Sequence, residues 1–223
     1  MSIVLPVLNE ALTIAKMLEH VCSLEGEYEV IVVDGGSTDG TDSVARRYAR
    51  VVQGPRGRAR QMNCGAAASE GKILLFLHAD TRLPPGALIG IERALSSSTA
   101  VGGRFKVRLS NPGWTFRIVT HAINLRDHLF GGFTGDRAIF VRADVFRALG
   151  GYWDMPLMED LEFGRRMSTA GPVVRLPLSA VTSARRWEKD GMVKTVLRMW
   201  LLRFLFFLGV HPARLKKLYG ETR

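Results

Sequence analysis

The stretch Lys72–Pro85 reads KILLFLHADTRLPP. Lys72–Leu77 is an almost unbroken apolar run, and it stops on His78-Ala79-Asp80. A short apolar run bounded by turn residues is the pattern of a strand buried on both faces. Such strands build parallel sheets covered by helices on either side. In open sheets of that kind, ligands bind outside the carboxyl ends of the strands. A histidine and a carboxylate at a strand tip are therefore candidate ligand contacts. They share a face if the extended geometry persists beyond Leu77.

The flanking sequence repeats the pattern. Ser2–Val7 and Glu29–Val33 are two further apolar runs, and Val51–Val52 is a short one. Helical segments are expected between them, over Ala11–Leu24, about Thr41–Tyr48 and Arg58–Ser69, with Asn9 as N-cap of the first. Alternating strands and helices imply an α/β fold with a mostly parallel central sheet flanked by helices. The pattern changes after Gly86. Helices are expected near Ala87–Leu95, Trp114–Leu129 and Glu159–Ala170, the last ended by Gly171-Pro172. Val101–Leu109 alternates like an antiparallel strand, Gly131-Gly132 is a break, and Arg137–Val141 is a short strand. The second half is thus mixed. The expected division is one domain over 1–190 and a basic, apolar helical extension over 191–223.

The strand ends carry Pro6, Asn9 and Glu10, then Asp34, Ser37 and Asp39, then His78 and Asp80. The first turn has no G-x-G-x-x-G spacing, which argues against a dehydrogenase-type dinucleotide site. The loop after the second strand, GGSTDG, brings Asp34 and Asp39. Carboxylates there repel a diphosphate and suit the N–H groups of a base or ribose hydroxyls; uracil and guanine both offer such N–H groups. The other reading is a turn that caps the next helix. Asp80 suits Mg²⁺ or Mn²⁺, which keep water and phosphate oxygens and so need few protein carboxylates. His78 is a second candidate ligand if the ion is Mn²⁺; otherwise it is a hydrogen-bonded, half-buried strand residue. Glu159, Asp160 and Glu162 open a helix, where acids also match the macrodipole without any further role.

Five stretches in order, IVLPVLNE, VIVVDGGSTDGT, RARQMNCGAAASEGKILLFLHADT, GDRAIFVRADVFRALGGY and MEDLEFGRRM, resemble family 2 glycosyltransferases of the GT-A fold. The chain is most similar to a short bacterial single-domain subfamily carrying HADT, some members of which are linked by name to arsenosugar biosynthesis. The resemblance implies an inverting transferase that moves a sugar from a nucleoside diphosphate donor to an acceptor hydroxyl. It implies that Pro6, Asn9, Glu10, Asp34, Ser37 and Asp39 line the nucleotide pocket, and that Arg58 and Asn63 help close it. It implies Asp80 as metal-binding acid, with His78 in place of the first acid of D-x-D, and Asp160 as general base with Glu159 beside it on the acceptor side. Arg186-Trp187 matches the end of the processive Q-x-x-R-W motif on the acceptor side, but the glutamine is missing, so a single transfer is expected. A nucleotidyltransferase would need a basic, glycine-rich triphosphate loop after the first strand, and none is there.

Net charge is +10, and Ser183–Arg223, with ten Lys/Arg against three Asp/Glu, carries most of it. That asymmetry fits a polyanion or an anionic membrane as partner, or a solvated basic tail. A nucleic-acid-binding module would interleave basic and aromatic residues on one platform, and the acids at three strand ends argue against it. Val193–Val210 has basic residues within it and is short for a membrane span. It reads as a helix in an anionic interface, a core helix or a dimer contact. Two cysteines without metal-type spacing, and a first strand that begins at once, lead to an expected cytoplasmic location, peripheral to the membrane if that helix docks there.

Overall fold

The computed structural model describes residues 1–130 and 132–220, with the backbone alone at 129, 130 and 186. Gly131, half of the expected break, lies outside the described residues. Among these, eight strands form one sheet: β1 (Ser2–Val7), β2 (Glu29–Asp34), β3 (Arg50–Gln53), β4 (Ile73–Phe76), β5 (Thr81–Arg82), β6 (Gly102–Leu109), β7 (Ile139–Arg142) and β8 (Val173–Thr182), in the order β3-β2-β1-β4-β7-β6-β8-β5. The helices are α1 (Ala11–Cys22), α2 (Thr41–Ala45), α3 (Arg58–Ala67), α4 (Ala87–Ser96), α5 (Trp114–Phe130), α6 (Ala143–Ala148), α7 (Glu159–Ala170), α8 (Arg185–Asp190), α9 (Met192–Phe207) and α10 (Pro212–Tyr219).

The first half is parallel, as expected: β1 pairs with β2 and β4, and β2 with β3, in that sense. Side-chain alternation sends Ile3, Leu5 and Val7 of β1 to one core and Val4 to the other. The first core holds Ile14 and Leu18 of α1 and Leu88 and Ile91 of α4. The second holds Met62 of α3 and Phe146, Phe163 and Met167 of α6 and α7. Both faces of the sheet are therefore covered, which is why its strands are apolar throughout.

The second half is mixed. β7 runs antiparallel to β4 and β6, whereas β6 and β8 are parallel. The expectation of an antiparallel strand over 101–109 thus holds on one side only. β8 escaped the sequence reading because Pro177 interrupts it, and proline removes a ladder donor. Pro177 falls where the pairing slips, between Arg175↔Arg104 and Ser179↔Lys106, so no ladder bond is lost to it.

Two local expectations are corrected. Asn9 is not the N-cap of α1: it has φ 54°, and Glu10 occupies the cap without a side-chain capping bond. The Asp39 carboxylate reaches in from the neighbouring loop and accepts from the Ala11 N–H at 3.0 Å. Strand β4 stops at Phe76, and Ala79-Asp80 turn, with the Thr81 N–H returning to the His78 carbonyl at 3.0 Å. His78 and Asp80 therefore do not share a strand face. The alternation argument fails because the chain must turn there to enter β5.

Candidate active site

The strand ends of β1, β2 and β4 meet the N-terminal ends of α3 and α7 at one rim. Two short loops build its first wall. Asp34, buried at the end of β2, accepts from the Ser37 N–H at 3.1 Å and closely from the Ser37 hydroxyl. Ser37 Oγ in turn accepts from the Asn9 N–H, and Asn9 Oδ1 accepts from the Thr38 N–H, both at 2.9 Å. Asp39 also accepts from the Thr41 hydroxyl and N–H, and these bonds hold its carboxyl below the usual range. Glu10 donates its N–H to Thr41 Oγ1 at 2.7 Å, and its carboxylate accepts from Thr13 at 2.7 Å. Pro6 lies in β1 opposite Val33. The polar residues named at this wall thus brace one another, and the wall is rigid before any ligand arrives.

Gln61 of α3, overlooked in the sequence, binds the two strands together. It is buried, and its amide donates to the Val7 carbonyl at 2.7 Å and the Val33 carbonyl at 2.8 Å. A lone glutamine in a helical run carries no distinguishing signal. Asn63, two residues on, spends both ends of its amide on the Tyr152 backbone, at 2.7 and 2.9 Å. Arg58, at the start of α3, donates to Glu159 Oε1 at 3.4 Å. Glue of this kind connects the donor wall to α7, so Glu159 faces Arg58.

The second wall is α7 and the turn before β7. Asp160 is buried at the first turn of α7, and its Oδ1 has no hydrogen-bond partner among the described residues. Burial, with the Glu159 carboxylate beside it, raises its carboxyl to about 8, against the opposing pull of Arg58. Gly135 lies between Asp160 and His78. A Cβ there would sit 1.9 Å from His78 Cε1 and 2.7 Å from Asp160 Oδ2. Only glycine admits this three-way contact. Burial and the Arg58 charge push His78 down to about 3, so its imidazole is neutral at physiological pH, with a buried, unpartnered Nε2. Asp136, adjacent to Gly135, acts electrostatically on both Asp160 and His78. Neither Gly135 nor Asp136 was singled out from sequence, although both fall within GDRAIF. The Tyr152 hydroxyl, likewise buried and unpartnered, is held far above its ordinary value by burial and by Asp160.

Glu162 is separate from this group. It forms a buried pair with Arg166 at 2.6 Å, and Arg166 also donates to the Leu149 and Gly151 carbonyls. Asp80 is exposed on its turn, with the Thr81 hydroxyl 3.3 Å from its carboxylate. The Ser183 N–H donates to the Asp80 carbonyl at 3.1 Å and so brings the start of α8, with half-buried Trp187, to the same rim. The Arg186 side chain lies outside the described residues. Among the described residues no cluster of three or more His, Cys, Asp or Glu forms a closed metal cage. One exposed carboxylate fits an ion whose remaining ligands are water and phosphate oxygens. The free nitrogen of His78 is turned toward Gly135 and Asp160.

Residues 2–149 match the profile of glycosyl transferase family 2. A PGL/p-HBAD biosynthesis glycosyltransferase of Mycobacterium bovis (strain BCG) is 30% identical over 218 residues, covering 92% of this chain and 83% of that protein. Two other curated relatives match more locally, and there the chain spans 30% and 35% of their length. Among solved structures, S. aureus TarS 1-349 in complex with UDP-GlcNAc superposes with TM-score 0.66 at 16% identity, over 82% of this chain and 58% of that one. Mannosyltransferase PcManGT from Pyrobaculum calidifontis, in complex with GDP-Man and Mn²⁺, gives 0.65 at 20% identity, over 92% and 61%. At such identities the likeness is one of fold, and the fold is GT-A.

Proposed function

The chain belongs to glycosyl transferase family 2, and from that premise we propose an inverting, metal-assisted transferase acting from a nucleoside diphosphate sugar onto an acceptor hydroxyl. The observation that carries the reading is Asp160, a buried carboxylate with a free oxygen at the rim where the strand ends converge. Two fold neighbours were solved with nucleotide sugars, one of them with Mn²⁺, which supports the donor class without selecting its base or sugar.

The braced wall of Asn9, Asp34, Ser37 and Asp39 receives the nucleoside, and Arg58 lies over the diphosphate between α3 and α7. Asp80 would hold a divalent cation, which when bound supplies Lewis-acid stabilisation of the departing diphosphate. The acceptor oxygen attacks the anomeric carbon from the face opposite the diphosphate. The carbon–oxygen bond to the diphosphate breaks, its electron pair leaves with the nucleotide, and the hydroxyl proton passes to Asp160. One displacement requires one base, and a carboxylate within hydrogen-bond reach suffices. Neutral His78 and Gly135 pack against that base and fix its position. Helices α9 and α10 form an extension rather than part of this site, except where α9 reaches the cluster described below.

Asp160→Asn keeps the shape and removes the basicity. Steady-state transfer is expected to fall by roughly 10²–10⁴-fold, while donor binding by calorimetry with Mn²⁺ is retained. Glu162→Gln, which alters a pair outside the site, leaves turnover of the folded protein near wild type. Near-normal turnover in Asp160→Asn would remove Asp160 from the mechanism.

A further inference from the structure

Beside the catalytic rim lies a second buried charge cluster that the reaction above does not use. Arg104 of β6 and Arg137, of the turn Gly135–Arg137, share one carboxylate, Asp127 of α5, at 3.1 and 3.2 Å. All three are buried, and Arg137 is only 1% exposed. Arg137 also reaches Asn124 Oδ1 and the Ile123 carbonyl at 3.4 Å, and Arg104 stacks on the Phe133 ring at 4.3 Å. Two more guanidiniums join from opposite sides, Arg126 of α5 and Arg203 of α9. Gly132 leaves the room: a Cβ there would meet Arg203 Nη2 at 2.9 Å and Asp127 Oδ1 at 3.2 Å. Arg126 Nε and Arg203 Nη1, like Asp136 Oδ1, are buried and have no hydrogen-bond partner among the described residues.

Four guanidiniums, Arg104, Arg126, Arg137 and Arg203, thus face two carboxylates, Asp127 and Asp136. Two positive charges are in excess, and Arg175 at the edge adds to the repulsion felt by Arg137. Burial, then the Arg126 and Arg137 charges, lower Arg203 to about 10. Buried charge without a counter-charge is strongly destabilising, and a buried donor without an acceptor adds its own penalty. Two excess charges and two free N–H groups are the complement of a phosphate monoester dianion, which guanidinium binds with directed hydrogen bonds.

The surroundings describe the rest of the ligand. On α9, Trp200 and Phe207 stand one turn either side of Arg203 and are 58% and 70% exposed. Phe204 and Leu208 extend the same apolar surface. A cluster with excess positive charge beside an uncovered apolar helix face fits an anion carried on an apolar chain. The turn Gly135–Arg137 connects the two regions: Gly135 packs against His78 and Asp160, and Arg137 pairs with Asp127 in the cluster, so a group held by the arginines lies at the other end of the turn that touches the proposed base.

We propose that Arg126 and Arg203 form an anion subsite for the acceptor, an amphiphile that carries its reacting hydroxyl apart from a phosphate-type head, with an apolar chain lying over Trp200, Phe204 and Phe207 of α9. The acceptor role rests on the reading of Asp160 as base; the binding does not.

The probe is octyl phosphate, with inorganic phosphate and octanol as partial ligands, measured by calorimetry with no nucleotide present. Octyl phosphate is expected to bind at least about tenfold more tightly than inorganic phosphate, and octanol not to bind. Arg126→Met and Arg203→Met are each expected to weaken it about tenfold or more while keeping Mn²⁺-dependent nucleoside diphosphate binding, and Arg203→Lys to retain part of it. In wild type, a saturating nucleoside diphosphate should leave octyl phosphate affinity intact. Displacement by the nucleotide would assign the probe to the donor pocket and overturn the proposal. Equal affinity for octyl and inorganic phosphate, or unchanged affinity in both Met variants, would overturn it too. Binding to phosphatidylglycerol vesicles without any binding of octyl phosphate would assign the cluster to a bulk membrane surface, and the acceptor subsite would be rejected. Failure of nucleoside diphosphate binding in wild type, with octyl phosphate binding intact, would instead count against the transferase mechanism alone.

Discussion

At the residue scale, the site depends on one carboxylate whose surroundings oppose its charge. Asp160 is raised to about 8 by burial and by Glu159. Between the ordinary carboxylate range and about 8, the folded protein holds a proton that the unfolded chain has released. Stability therefore falls as pH rises through that window and levels off above it. Asp160→Asn removes that dependence, so the variant is expected to lose less stability than wild type between pH 5 and pH 9, both pH values being rough bounds of the window. Thermal melts across the window check this. Transfer follows the opposite trend, because the base must be ionised: turnover of wild type rises with pH up to about 8. His78, neutral in the folded protein from about 3 upward, does not shape this rate profile; its contribution to stability rises with pH until the unfolded imidazole has lost its proton, near 6.5, and is the same in wild type and Asp160→Asn. A flat rate profile from pH 6 to 9 would exclude a base with this environment.

At the scale of elements, the donor wall is a set of strand ends that would drift apart without cross-links. Gln61 is one cross-link, from α3 to the ends of both β1 and β2. Gln61→Leu keeps the bulk, removes the side-chain donor from both carbonyls and leaves Val7 with the Gly35 N–H alone, at a cost of about 1–3 kcal/mol. Urea denaturation is expected to show that loss, and calorimetry a weaker nucleoside diphosphate complex, because Asp34 follows Val33 directly. An unchanged midpoint would mean that the two carbonyls find other donors. Helix α1 shows the same reliance on distant partners: its first N–H groups are met by Asp39 across the loop, where a local cap was expected at Asn9. The strand and helix periods were legible in the sequence because burial on both faces writes itself as apolar runs. The caps were not, because a side chain from another loop can satisfy them.

At the scale of the molecule, charge and apolar surface are both concentrated at the end of the chain. Ser183–Arg223 carries seven of the ten excess charges, and α9 buries Leu202 and Thr195 while exposing Trp200, Phe204 and Phe207. No described helix is long and apolar enough to cross a membrane. One face of α9 is packed and the other uncovered, which suits a helix lying in an interface. Co-sedimentation is expected to recover the protein with phosphatidylglycerol vesicles and far less of it with phosphatidylcholine alone. The bound fraction should fall as salt shortens the screening length from about 10 Å at 0.1 M to about 3 Å at 1 M. Equal recovery with both lipids would leave the uncovered face to another partner.

The apolar runs by themselves determined a covered parallel sheet, and Asp34 and Asp80 at their ends were legible before any coordinates, whereas Asp160, opening a helix, was singled out only by the family resemblance of MEDLEFGRRM. These are properties of short segments, which burial and strand geometry write locally. What only the tertiary structure decided is which groups face one another. Sequence placed His78 beside Asp80, whereas the turn after Phe76 sets it against Gly135 and Asp160. Glu159, Asp160 and Glu162 look alike in sequence. Packing pairs the first with Arg58 and the last with Arg166, and gives Asp160 no ion pair among the described residues but a buried, unpartnered oxygen. The cluster of Arg104, Arg126, Arg137 and Arg203 draws on segments a hundred residues apart and leaves no local pattern. Ionic pairing and desolvation depend on distance in space, and that distance is set by the fold as a whole.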